Sequence, residues 1–230
     1  MLFRNSNVFN LTSSSQSAWA IEFAHAHKKT NVLGTDLSPI QPQTVPINCT
    51  FVVDDANKDW NFHQRFDFVH TRAIAFGISD WPKFIGQAWT YLKPGGWLEL
   101  QEFHLNVSSD DGTLKEGSAL WQWKTDMLAA TKKVGVDSLK TLEHPKMMAD
   151  QGMQSIGVRQ LKIPLGPWAK GKREKQIGVF AQKDLVEGLD GISTKLLLLM
   201  GYEPEALNKF LEDVRKDLMD PAVSSRYAFN

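Results

Sequence analysis

Acids and a histidine stand where short apolar runs of this chain end. Asn31–Asp36 reads NVLGTD and closes on an acid, with the turn residues Leu37-Ser-Pro-Ile-Gln-Pro42 directly behind it. Thr50–Val53 runs into Asp54-Asp55-Ala56, and Phe66–His70 (FDFVH) ends on His70, three residues after Asp67. An apolar run that stops on an acid is how a buried parallel strand looks when its carboxyl end opens into a site. Doubly wound sheets bind ligands in the crevice outside those ends. A carboxylate there can accept two hydrogen bonds from a ribose diol, and a second acid can accept from an adenine amino group. Asp36 has an alternative as a plain turn residue. The Asp54/Asp55 pair has the chemistry of a cation site, but no further ligands are spaced to complete one, so no metal is expected.

Nucleophilic chemistry finds little support. Ser13–Ser15 and Ser108-Ser109 lack a histidine and an acid at any recognised spacing. His25 and His27 stand two apart on an expected helix and so do not face each other. His63, His104 and His144 are isolated and read as surface or capping residues. Of these His104 follows the fifth strand, which makes it the best candidate for a general base. No catalytic residue is assigned from the sequence.

The elements that must position these residues alternate. A brief apolar patch at Val8–Leu11 is a reduced first strand, with a polar Asn10 inside it. A helix follows over about Ala18–Lys28, with Ser17 as N-cap and Ile21, Phe23 and Ala24 inward. After the strand Asn31–Asp36 come a proline-rich turn (Pro39, Pro42, Pro46) and the strands Thr50–Val53 and Phe66–His70. Asp80-Trp-Pro82 opens a helix whose apolar stripe is Trp81, Phe84, Ile85, Ala88, Trp89 and Leu92. Lys93-Pro-Gly-Gly96 stops it before a strand at Trp97–Phe103, with Trp97 expected in the core. This alternation predicts an α/β fold, a Rossmann-like doubly wound and mostly parallel sheet. Beyond Asn106 the pattern turns helical at Leu114–Lys133, His144–Gly152, Glu174–Met200 and Glu205–Leu218, with one strand at Val158–Pro164. The expected organisation is a single domain over 1–230, with 106–152 inserted as a helical cap carrying Trp121, Trp123 and Met127.

The totals fit that reading. The 230 residues are 42% hydrophobic and 23% charged, and Lys+Arg and Asp+Glu both number 26. A net charge of zero argues against nucleic acid as a partner. The longest leucine run, Leu196–Leu199, is too short to cross a bilayer, so no membrane partner is expected. The single Cys49 excludes an internal disulfide and suits a reducing compartment, cytoplasmic or nuclear. Sequons at Asn10, Asn48 and Asn106 come without a signal peptide and read as coincidental.

The runs GTDLSPIQP, FVVDDANKDW, FDFVHTR, DWPKFIGQAWTYLKPGGWLELQEF and IPLGPW together resemble the fungal LaeA-like class I methyltransferases, over about Trp19 to Pro221. The resemblance implies S-adenosylmethionine as cofactor and a small molecule or protein as methyl acceptor, in secondary metabolism or its regulation. It implies that Asp36, with Leu37 beside it, binds the ribose end, that Asp55 and the Ala56 backbone hold the adenine, and that His70 lies near the methionine end. The family carries a glycine-rich loop before its first helix, where this chain reads Ser13-Ser-Ser-Gln-Ser17. Glycine there permits positive φ and close approach to a carboxylate. The family also closes on an antiparallel edge strand, for which the ending Arg226–Asn230 comes too early. These departures leave open a catalytically degenerate protein that acts by binding, with a regulatory protein partner, or a catalyst that uses an aromatic pocket without the cofactor.

Overall fold

The computed structural model describes residues 6–12, 17–38 and 44–229, without the side chains of Thr12, Ser17 and Phe229. The Ser13–Gln16 loop, the Ser17 hydroxyl and the Pro39–Pro42 turn lie outside the described residues. Contacts divide the chain into two compact units, one of residues 1–102 and 140–158, the other of 103–139 and 159–230. The segment 106–152 is thus shared between them.

The first unit is built on β1 (Asn7–Thr12), β2 (Asn31–Asp36), β3 (Cys49–Val53), β4 (Phe66–Arg72) and β5 (Leu92–Gln101). They form one five-stranded sheet in the order β3-β2-β1-β4-β5, parallel throughout. The α/β expectation is met. Helix α1 (Ser17–Ala26) packs Ala20 and Ala24 onto Val8, Val32, Cys49 and Phe68. Helix α2 (Trp81–Tyr91) buries Trp81, Phe84, Ile85 and Ala88 against Phe9, Leu11, Phe66 and Val69. Alternate residues of β1 thus serve opposite clusters, Val8 one and Phe9 and Leu11 the other, which is why the strand reads as a continuous buried run. Asp80 caps α2 as its sequence predicts, its Oδ1 accepting from the Lys83 amide at 2.9 Å. Trp89, expected inward, is 45% exposed, because it follows Ala88 around the helix and leaves the buried stripe.

Two expectations in this unit are corrected. Trp97 is 63% exposed rather than core, since β5 is an edge strand. And Lys93–Gly96 does not precede the strand but interrupts it. The pairing jumps from Phe66↔Leu92 to Phe68↔Trp97, so the Pro-Gly-Gly segment bulges out, with Gly95 at φ +79.

The second unit holds β6 (Phe103–Ser109), α3 (Ala119–Lys133), β7 (Leu161–Pro164), α5 (Lys172–Leu199), α6 (Pro204–Met219) and β8 (Ser225–Phe229). Helix α4 (His144–Asp150) belongs to the first unit and contacts α2. The three strands form an antiparallel sheet in the order β6-β8-β7. The chain does end on an antiparallel strand, but it belongs to this second sheet and not to the edge of the parallel one. Arg226-Tyr-Ala-Phe229 lies in that strand, which is central between β6 and β7. Helix α3 starts later than the expected Leu114, at Ala119, where the Ser118 hydroxyl caps the Trp121 amide. Leu120, Trp123 and Met127 are its buried face, and Trp123 donates through Nε1 to the Ser193 hydroxyl of α5 at 2.8 Å.

Candidate functional site at the carboxyl edge of the parallel sheet

The order β3-β2-β1-β4-β5 reverses direction at β1, so the crevice outside the ends of β1 and β4 is the switch point where such sheets take ligands. Asp36 closes β2 next to it. Its Oδ1 accepts from the Ser38 amide at 2.9 Å, which fixes the carboxylate. Its Oδ2 is buried with no hydrogen-bond partner among the described residues. A buried carboxylate oxygen without a donor is costly, and a hydroxyl of a bound ligand is the kind of group that satisfies it. Leu37 follows at 70% exposure, an apolar side chain in the open beside that acid.

The end of β3 is tied to this corner through its backbone, the Asp54 amide donating to the Asp36 carbonyl at 3.0 Å. Asp54 Oδ1 then accepts from the Asp55 amide at 2.8 Å, and Asp55 Oδ1 accepts from the Asn57 amide at 3.0 Å and the Asn57 Nδ2 at 3.2 Å. The Asn57 amide is the main reason the Asp55 carboxyl is held below its ordinary range, so it stays an acceptor. Ala56 packs against the hydrophobic cluster under α2. Asp36, Leu37, Asp55 and Ala56 thus share one edge of the sheet.

His70 and Asp67 lie elsewhere. Strand β4 continues two residues beyond the expected end, pairing Thr71 with Leu11 and Arg72 with Thr12. His70 is therefore inside the sheet, fully buried, with its ring stacked under Trp19 of α1 at 3.9 Å between centroids and 8° between planes. Its Nδ1 lies 2.7 Å from Oδ1 of Asn10, the register partner across β1. With that oxygen as acceptor the ring carries its proton on Nδ1. Burial pulls its pKa down to about 4, with the Arg72 charge adding to this and a contact from Gln101 opposing it, so the imidazole is neutral near pH 7. Asp67 is the second residue of β4 and sits at the amino end of the sheet, where it accepts from the Asn7 amide and pairs with Lys93 at 2.8 Å.

Of the other histidines, His63 is exposed, as the sequence suggests. His144 is not a surface residue. It is buried against the Trp81 ring at 4.1 Å, and burial pulls its pKa down to about 4. His104 is enclosed within the second unit, on β6 opposite Ala228. Burial, with the Arg226 charge behind it, pulls its pKa below the ordinary histidine value. Cys49 is buried and its thiol pushed up to about 11 by burial, so it offers no thiolate at neutral pH. Among the described residues no group of three or more His, Cys, Asp or Glu is placed to hold a metal ion.

Several contributors escape a reading of the sequence alone. Asn57 bonds Asp55 on one side and, on the other, the Gly77 carbonyl (2.7 Å) and the Ser79 amide (2.9 Å). Glu102, just past β5, is completely buried. Its Oε1 accepts from the Thr71 hydroxyl at 3.1 Å and its Oε2 from the Ala75 amide at 2.9 Å. The signal available was an acid closing the apolar strand in LELQE, the same signal that marks Asp36.

Residues 15–152 match the model of the Methyltransferase domain family. The chain belongs to that family. The methyltransferase pytC of Aspergillus terreus is 36% identical over 215 residues, which cover 92% of this chain and 66% of pytC. The secondary metabolism regulator laeA of Aspergillus fumigatus is 26% identical over 212 residues, covering 89% of this chain and 56% of laeA. The chain thus spans between about half and two thirds of these relatives, and the LaeA-like resemblance of its motifs holds. In fold it resembles phosphoethanolamine N-methyltransferase 2 of Haemonchus contortus, solved with phosphomonomethylethanolamine and S-adenosylhomocysteine (TM-score 0.54, 17% identity, 100% of this chain and 48% of that one).

Proposed function

We propose that this methyltransferase-family chain binds S-adenosylmethionine at the carboxyl edge of the parallel sheet and presents it to a small-molecule or protein acceptor in secondary metabolism or its regulation. The observation that carries the reading is Asp36, a carboxylate at the end of β2 with one oxygen fixed by Ser38 and the other buried and unpartnered among the described residues. In this reading Oδ2 accepts from the ribose hydroxyls, and Leu37 covers an apolar face of the ligand. Asp55 accepts from the adenine amino group, and Ala56 completes the adenine contact. His70 acts from beneath, by holding Trp19 and so the start of α1 against the sheet. When bound, S-adenosylmethionine would supply an already activated methyl group for an acceptor's lone pair. What the chain contributes is alignment and exclusion of water. A cytoplasmic or nuclear location belongs to the same proposal.

A second reading, binding without turnover in a regulatory role, is supported by the serines at Ser13–Ser17, which stand where the family resemblance puts glycines. The two part on one measurement, since only the first releases S-adenosylhomocysteine in the presence of an acceptor.

The binding site itself is tested by calorimetry with S-adenosylhomocysteine. Asp36→Ala removes charge-assisted hydrogen bonds worth about 1.5–3 kcal/mol each, so affinity drops by roughly tenfold to more than a hundredfold. Asp36→Asn, which keeps the shape and the Ser38 contact, loses less. An Asp36→Ala protein that binds as tightly as the parent would remove Asp36 from the site.

A further inference from the structure

We infer that Glu102 and Asn57 are positioning residues for this site: together they clamp the segment that follows β4, and through it they hold Asp55 at the edge of the sheet. The inference rests on the S-adenosyl reading above and names what shapes that site.

The segment Thr71–Ser79 leaves β4 at the switch point. Its first turn is closed by one side chain, Glu102, which takes the Thr71 hydroxyl on one oxygen and the Ala75 amide on the other. Between these two points lies Ala73, at φ +54, with its amide donating to the Gln101 carbonyl at 2.9 Å. An alanine rarely holds that left-handed conformation unless its surroundings impose it, and such residues gather at functional sites. The same segment buries Ile74, Ala75 and Ile78 in the core under α2, so its backbone cannot shift freely. Its far end is closed by Asn57, which donates to the Gly77 carbonyl and accepts from the Ser79 amide and hydroxyl. The same Asn57 amide group donates to Asp55 Oδ1, and Lys83 holds the Asn57 carbonyl at 3.0 Å. Hydrogen bonds at both ends of the segment after β4, joined by its backbone, therefore connect Glu102 to Asn57 and Asp55.

A fully buried carboxylate is an expensive way to fill space, and an apolar residue would serve packing alone better. Burial pushes Glu102 up to about 7, against the opposing pull of the Ala75 amide and the Thr71 hydroxyl. Those neighbours supply donors rather than a balancing charge, so the carboxyl is retained for the two bonds it accepts.

The test combines calorimetry with S-adenosylhomocysteine and amide hydrogen exchange on Glu102→Ala, Glu102→Gln and the double variant Glu102→Ala/Ala73→Gly. Glu102→Ala should weaken binding about tenfold and speed exchange at Ala75, Gly77 and Asn57, while Val32 and Leu33 of β2 stay protected. Glu102→Gln should recover most of both, because its oxygen still accepts from the Ala75 amide and the Thr71 hydroxyl can turn to accept from its amino group. Adding Ala73→Gly should return part of the lost affinity, because glycine holds positive φ without help. If Glu102→Ala does not fold, Thr71→Val removes one of the two bonds and should shift both readouts the same way, less far. Wild-type affinity in Glu102→Ala or Thr71→Val, or unchanged exchange at Ala75, overturns the inference. If the parent chain gives no binding heat, the S-adenosyl reading falls, and the exchange data alone decide whether Glu102 clamps the segment.

Discussion

His70, His144 and Glu102 are buried groups whose ionisation opposes burial, and their effects on stability have opposite signs. Both histidines are held near 4 in the folded chain against an ordinary 6.5. Between those values the unfolded chain binds protons that the folded chain refuses, so stability is lost as pH falls from about 6.5 to about 4. Glu102 is raised from 4.5 to about 7, so the folded chain keeps a proton that the unfolded one releases, and stability is lost as pH rises across that window. Each histidine withdraws about 1–2 kcal/mol between pH 6.5 and pH 5, and the glutamate returns a similar amount. Two against one leaves a net loss of at least about 1–2 kcal/mol on acidification, to which the buried His104 adds with the same sign, measurable by urea unfolding at the two values. His144→Phe, which keeps the contact with Trp81, should shrink that loss, and Glu102→Gln should enlarge it. Equal slopes in all three proteins would show that these side chains are more hydrated than the structure has them.

Helix α5 gives the sharpest contrast among the elements. A Cβ added at Gly178 would fall 2.1 Å from the Gly166 carbonyl oxygen, and the Gly178 carbonyl itself accepts from the Gly166 amide at 3.0 Å. The helix touches the turn after β7 backbone to backbone, and only glycine allows that approach. Gly178→Ala should therefore cost about 1–3 kcal/mol. Further along the same helix Gly191 is exposed and has nothing within 4 Å of its added Cβ. Gly191→Ala should instead stabilise by roughly 0.5–1 kcal/mol, because alanine loses less conformational freedom in a helix. Chemical denaturation of the two variants reads both signs, and a destabilised Gly191→Ala would mean that this turn of α5 is not regular helix.

At the scale of the molecule, the question is how the second unit holds together. Leu120, Trp123 and Met127 of α3, Leu189 and Leu197 of α5, and Leu207, Leu211 and Val214 of α6 are all within 1% of full burial, and α3 contacts α5, α6 and β6. Elements that share a core open together. Under increasing denaturant the amides of α3 should therefore lose protection with those of α5 and α6, whereas a lid would open well before them. Native-state hydrogen exchange decides between these, and early opening of α3 alone would support the reading of this segment as a cap. The arrangement also explains why β8 forms. A three-stranded antiparallel sheet needs a central member, and Ser225–Phe229 pairs with β6 on one side and β7 on the other, with Arg226 and Lys162 both meeting Asp110.

The alternation of buried strands and helices in the first hundred residues is legible along the chain, because apolar period and turn chemistry are local properties. It also marked Asp36 and Asp55, since an acid that ends an apolar run is legible without neighbours. The cap of α2 by Asp80 was equally local. The consequences of pairing emerge only in the folded chain. Where β4 ends depends on its partners β1 and β5, and two extra paired residues turn His70 from a strand-end candidate into a buried ring under Trp19. Asn10 looked like a flaw in a strand until its register partner proved to be that histidine. Trp97 followed an apolar pattern but fell on an edge strand, a position set by sheet order alone. Asn57 and Glu102 are far apart in the chain and meet the same segment from opposite ends, because the sheet brings the ends of β3, β4 and β5 to one edge. Hydrogen bonds over such separations have no local signature, which is why these contacts appear only in the folded chain.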